Sequence, residues 1–181
     1  MEFFSESYFT RAASRIELFE QRRFADSAGR DRSMTAKFDV FLSYNIADLK
    51  VVKDIFYVLS KKGLKVYLDC VVDPDMKRSE TDKQTAERLH NRLMNSKTLL
   101  YAQSPSAGHS NWMPWELGVV DGHTQSCFIM PVTKDAQQVT PRREYLALYP
   151  YVQLGDDGKM KLVRESAERV FVTDYVDYVR G

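Results

Sequence analysis

Cysteine is nearly missing from this 181-residue chain, which has only two, Cys70 and Cys127, far apart and outside any CxxC spacing. Two such thiols exclude a disulfide-stapled secreted scaffold and are expected to be buried and free. Histidine is scarce as well: His90, His109 and His123 stand at no spacing that metal ligation uses. They read as surface or loop residues, and neither a metal nor a bound cofactor is expected. No run approaches the roughly 20 apolar residues that span a bilayer, and the opening MEFFSESYFTRAASRIELF mixes charges throughout, unlike a signal peptide. Neither charge sign dominates: 26 Lys and Arg against 25 Asp and Glu leave a net +1, without the basic surplus of a nucleic-acid binder. GxGxxG, GxxxxGK and GxSxG are all absent, so a Rossmann cradle, a P-loop and a nucleophile elbow are not indicated. These absences leave a cytoplasmic protein with neither a nucleic-acid nor a membrane partner expected.

What is present belongs to a packed globular chain, with 44% hydrophobic and 12% aromatic residues, sized for one substantial core. FDVFLS (38–43) reads as a buried strand. Leu49, Val52, Ile55, Phe56 and Leu59 recur at helical spacing, and Gly63 follows as a C-terminal stop. LKVYLD (64–69) is a second strand, so the three elements form a βαβ unit. A charged loop over 70–80 precedes a helix over 81–95 and a third, fully apolar strand, TLLYA (98–102). SPSAGHSN (104–111) is a loop, followed by a helix from Trp112 to Gly122, capped by Ser110 or Asn111, and a strand over 126–132. A polar loop (133–143), a short strand (149–154), a GDDG turn (155–158) and closing helices over 160–179 complete the expectation.

The first 36 residues stand apart as an N-terminal extension, leaving 37–181 as the domain. Phe9, Ala13, Ile16 and Phe19 predict an amphipathic helix over about 6–22, packed on the domain or engaged with a partner, and DSAGRDRSMTA (26–36) reads as a linker. Removing the extension is expected to spare the domain fold.

In open α/β sheets ligands gather at the carboxyl ends of the strands. FDVFLSYNIAD (38–48), LKVYLD (64–69), NSKTLLYAQS (95–104) and SNWMPWEL (110–117) stand there in that order. With this order and these distances the chain resembles the Toll/interleukin-1 receptor (TIR) domains, from about residue 37 to at least 132. WMPWE matches the WxxxE arrangement of catalytically active members. The resemblance implies a flavodoxin-like three-layer α/β sandwich, with about five mostly parallel strands and helices on both faces. It further implies a bacterial-type stand-alone enzyme of immune or antiphage defence signalling. Such an enzyme cleaves the nicotinamide–ribose bond of NAD, giving nicotinamide plus ADP-ribose or a cyclic isomer. NAD would be substrate rather than cofactor. The implied partners are further copies of the chain and a downstream effector that senses the product.

The matching position makes Glu116 the catalytic carboxylate. Near a helix N-terminus its anionic form is favoured, and the bond in question suits one anion. Nicotinamide leaves as a neutral molecule from a cationic ring, so the charge that develops is an oxocarbenium on the ribose. Ser43, Tyr44, Asn45, Asp69, Trp112 and Trp115 are the candidate substrate-binding residues. Each also has a plainer role: Ser43 to Asn45 as a strand-to-helix turn, Asp69 as an anchor for the loop after it, and the tryptophans as packing. Ser104 and Ser110 polarise or cap. Two departures from the family pattern, VVDPDMKRSE in the loop after the second strand and Met113 after Trp112, leave Glu116 untouched. The alternatives are a non-catalytic adaptor that assembles through the 70–80 loop, and a nucleoside deoxyribosyltransferase-like enzyme with a glutamate nucleophile. A phospho-receiver is disfavoured, because the strand ends read LSYN and YAQS where it needs clustered acids.

Overall fold

The computed structural model describes residues 1–76, 82–134, 143–165 and 169–181. Its centre is the run of parallel strands expected from the sequence: β2 (Phe38–Ser43), β3 (Val66–Tyr67), β4 (Ser96–Gln103), β5 (Cys127–Thr133) and β6 (Tyr151–Leu154). They lie in the spatial order β3-β2-β4-β5-β6. Alternation sends Val40, Leu42, Leu100, Phe128 and Met130 to one face, and Phe41, Leu99, Tyr101, Cys127 and Ile129 to the other.

Helices close both faces. On the first lies α3 (Leu49–Lys61), with Val52, Ile55, Phe56 and Leu59 turned inward. The helix stops at Gly63, whose φ of +82° suits glycine; a Cβ there would stand 2.6 Å from the Arg180 guanidinium. The second face is covered by α5 (Lys83–Met94) and α6 (Trp112–His123), through Leu89, Leu93, Met113, Leu117 and Val120. The architecture is the expected three-layer α/β sandwich. Cys127 is buried, and Cys70 is only half-buried.

The chain ends differ from expectation. The single helix expected over 6–22 is two: α1 (Glu6–Ser14) and α2 (Leu18–Arg30). The second runs into the segment read as a linker. Ahead of them a two-residue strand, β1 (Phe4–Ser5), pairs parallel with the end of β5, and Glu2 bridges to Leu154 of β6. Strands β5 and β6 share one registered pair, Ile129 with Tyr151. The N-terminus thus fills the gap where they part and satisfies backbone groups there. Phe4 and Phe9 are completely buried in the core shared with α3.

At the other end, the helices expected over 160–179 are replaced by two antiparallel strands, β7 (Met160–Glu165) and β8 (Val170–Asp174), and a short α7 (Tyr175–Arg180). GDDG does turn, with Gly158 at φ +72°, and it returns the chain as a hairpin onto β6. A hairpin partner gives Leu162, Val163 and the β-branched residues at 170, 172 and 173 a ladder, which overrides helix propensity.

One buried ion pair fastens the periphery. Arg92 of α5 is fully buried and donates through Nε and Nη2 to both oxygens of Asp73, each at 2.9 Å. Its Nη atoms also reach the carbonyls of Ser33 (2.7 Å), Arg32 (3.0 Å) and Asp31 (3.5 Å). Asp73 also accepts from the Tyr67 hydroxyl at 3.0 Å. It closes α4 (Asp69–Val72), a helical turn at the start of the segment expected as a loop over 70–80. Residues 77–80 of that loop, and 135–142 of the one expected over 133–143, lie outside the described residues.

The packing of the N-terminus gives a direct test. Phe9→Ala is expected to destabilise the protein by about 3–5 kcal/mol, as truncation of a buried aromatic does. Urea denaturation measures it, and a loss below about 1 kcal/mol would show the extension to be dispensable.

Candidate active site

The buried positions of α6 are Met113, Glu116, Leu117 and Val120. This is the i, i+3, i+4, i+7 stripe that turns a helix face to the core, and Glu116 takes a core position in it with no exposed surface. A carboxylate placed there needs donors. One is the hydroxyl of Ser43 at the carboxyl end of β2, also fully buried, which donates to Glu116 Oε2 at 2.6 Å. Ser43 shares a face with Phe41, two residues before it, so the pair lies on the α6 side of the sheet. The helix start is fixed separately, by Ser110 Oγ accepting from the Met113 amide at 3.2 Å. Asn111 supplies no side-chain cap.

Tyr101 of β4 is registered beside Ser43 and is buried on the same face. Burial, above all, pushes its phenol well above the usual tyrosine range. Tyr145 raises it further, Arg143 pulls it down, and Glu116 adds a smaller upward push. The phenol therefore stays protonated as a donor at any physiological pH.

The remaining candidates form other groups. Tyr44 turns to the opposite hydrophobic layer, where its hydroxyl donates to Asp69 Oδ1 at 2.7 Å. Asp69 also accepts from the Cys70 amide at 2.7 Å and so anchors the start of α4. Asn45 is structural on both sides: Oδ1 accepts from the Ala47 amide and Nδ2 donates to the Ser106 carbonyl, each at 2.9 Å. Trp112 and Trp115 meet edge to face, with centroids 5.6 Å apart. Trp112 packs on the core, while Trp115 is 37% exposed. Of the seven residues singled out, the structure brings Ser43 to Glu116, Tyr44 to Asp69 and Trp112 to Trp115.

Sequence reasoning missed two features. Asp48 Oδ2 accepts from both Ser104 and Ser106, each at 2.5 Å, and ties the loop after β4 to the turn after β2. The second is Tyr101, whose parity with Ser43 appears only once β2 and β4 are in register. His90, His109 and His123 are all exposed. Among the described residues no group of three or more His, Cys, Asp or Glu side chains could hold a metal ion. No described helix is long and apolar enough to cross a membrane.

Comparison with known proteins adds to this geometry. The family model for the TIR domain matches residues 40–165. A protein of Bacillus cereus (strain MSX-D12), provisionally named 3' cyclic ADP-D-ribose synthase ThsB', is 34% identical over 145 residues, 79% of this chain and 72% of that protein. A protein of Cytobacillus dafuensis, provisionally named cyclic ADP-D-ribose synthase TIR2, is 26% identical over 101 residues, 55% of this chain and 27% of that protein. The solved TIR domain of the Toll-related receptor TRR-2 from Hydra magnipapillata is 19% identical, with a TM-score of 0.49, over 67% of this chain and 87% of that one.

The Ser43–Glu116 contact should be measurable as a coupling. Ser43→Ala is expected to cost about 1–3 kcal/mol, because it strips a donor from a buried carboxylate. In a Glu116→Ala background the same change should cost clearly less. Equal costs in a double-mutant cycle followed by denaturation would show that the two side chains do not interact.

Proposed function

We propose, from the premise that this chain belongs to the TIR domain family, that it cleaves the nicotinamide–ribose bond of NAD with Glu116 as the catalytic carboxylate. The observation that carries the reading is a glutamate on the core stripe of α6, fully buried and held by Ser43 at 2.6 Å. A carboxylate in such a water-poor setting acts on a developing positive charge far more strongly than one in bulk water.

In the proposed reaction the C1′–N bond breaks and its electron pair passes to the pyridinium nitrogen. Neutral nicotinamide leaves, and C1′ becomes an oxocarbenium opposite Glu116. Water then adds through its oxygen and releases a proton, giving ADP-ribose. Alternatively, a ribose hydroxyl of the same molecule attacks through its oxygen, releases its proton and closes a ring. An adenine ring nitrogen can also close one: it attacks with its lone pair and leaves the positive charge on the adenine, which the exocyclic amine can discharge by losing a proton. The names of the two bacterial relatives favour the cyclic outcome, and a cyclic product would suit a signal read by a separate effector in defence. NAD is the substrate, and the chemistry calls on no further cofactor.

The complete burial of Glu116 bears on regulation. With no exposed surface in this state, the carboxylate meets substrate only if side chains packed on it move aside. Activity should therefore rise if copies of the chain assemble in a way that favours such a rearrangement. The same burial favours a second reading, a non-catalytic adaptor in which the Ser43–Glu116 contact is purely structural.

Incubating the purified protein with NAD over a range of protein concentrations, with chromatographic separation of the products, distinguishes the two. The enzyme reading expects nicotinamide release that rises more than proportionally with protein. Glu116→Ala is expected to reduce it by at least about a hundredfold, as loss of a main electrostatic stabiliser does. Absence of release at every concentration would favour the adaptor.

A further inference from the structure

A cavity of about 260 Å³ shares Tyr101 with the surroundings of Glu116 and is lined also by Gln103, Ser104, Ala107, Arg143 and Leu146. Pockets that enclose a whole drug-sized ligand run from about 300 to 1,000 Å³, so this one suits a fragment of a larger molecule. Arg143 is the permanently charged residue among its described lining, which also includes His109 and no carboxylate. Asp48, bound by the Ser104 hydroxyl, lines a separate cavity with Lys50 and Lys134. Arg143 is exposed, and its guanidinium donates to the Gly108 carbonyl and to the Tyr145 hydroxyl at 3.4 Å. A guanidinium presents five donors in a planar fork that matches phosphate oxygens.

The buried Tyr101 phenol feels both Arg143 and Glu116. Arg143 lines the cavity together with Tyr101, and Tyr101 is registered beside Ser43, which holds Glu116, at the strand ends where the reaction was placed. A dinucleotide with a pyridinium ribose at one end and a diphosphate next to it has the complementary pattern. The pyridinium itself would be repelled by Arg143, which fixes the orientation.

We propose that this cavity is the anion subsite, in which Arg143 takes the diphosphate while Glu116 faces the nicotinamide ribose. The assignment deepens the NAD reading and depends on it for the identity of the ligand. Arg143 then acts in binding rather than in bond cleavage.

Calorimetric titration with ADP-ribose and, separately, with adenosine tests the subsite without calling on turnover. The wild-type protein should bind ADP-ribose. Arg143→Ala should weaken that binding about tenfold and leave adenosine binding unchanged, while Arg143→Lys, which keeps the charge but loses the fork, should fall between. Because Arg143 is exposed, the variant should melt like the wild type. Unaltered ADP-ribose binding in Arg143→Ala, an equal loss for adenosine, or no binding by the wild type would each overturn the assignment. Binding that follows the expected pattern in a protein that releases no nicotinamide would uphold the subsite and sink only the catalytic reading.

Discussion

The hydrogen bond from Ser43 to Glu116 is the constraint on which the site's geometry depends. A helix that turns an acid into the layer between itself and a sheet must meet a donor there, since an isolated carboxylate is far too costly to strip of water. Only one registration of α6 against the end of β2 sets Glu116 Oε2 at 2.6 Å from the Ser43 hydroxyl. Around this pair the loops at the strand ends are tied to one another: Asn45 holds the Ser106 carbonyl, and Asp48 gathers the hydroxyls of Ser104 and Ser106. The result is a preorganised edge. Preorganisation of this kind is what an electrostatic catalyst needs, because its dipoles must be aligned before charge develops.

A second buried charge fastens the periphery to that edge. Arg92 links the segment before β2, through the carbonyls of residues 31–33, to Asp73 at the end of α4. Asp69 at the start of the same turn is held by Tyr44, next in the chain to Ser43. The segment leaving β3 is thus clamped at both ends, once from each side of the sheet. Breaking such a pair costs several kcal/mol because the stranded partner stays buried.

The parallel core was legible because its signals are local. Apolar runs such as TLLYA, the helical spacing from Leu49 to Leu59 and the stop at Gly63 each speak for themselves. The chain ends were not, because tertiary partners decide them. MKLVRE reads as well for a helix as for a strand until β6 lies beside it, and Phe4 reads as a stray aromatic until the gap between β5 and β6 exists. Arg92, in the polar-looking HNRLM, becomes fully buried only because Asp73 and three carbonyls converge on it. Glu116 was legible in kind, through WxxxE, and its burial was implicit in the 113, 116, 117, 120 spacing. The division of the remaining candidates followed from strand parity: consecutive residues Ser43 and Tyr44 face opposite layers, so they serve different acids.

The central claim is that the charge of Glu116, rather than its shape, performs the chemistry. Glu116→Gln keeps the volume and an oxygen that can accept from Ser43 while removing the charge. Proton NMR of NAD mixed with each protein follows free nicotinamide directly. The account predicts its resonances growing with the wild-type protein and staying at the uncatalysed rate with the glutamine variant at equal thermal stability; equal growth with both would contradict it.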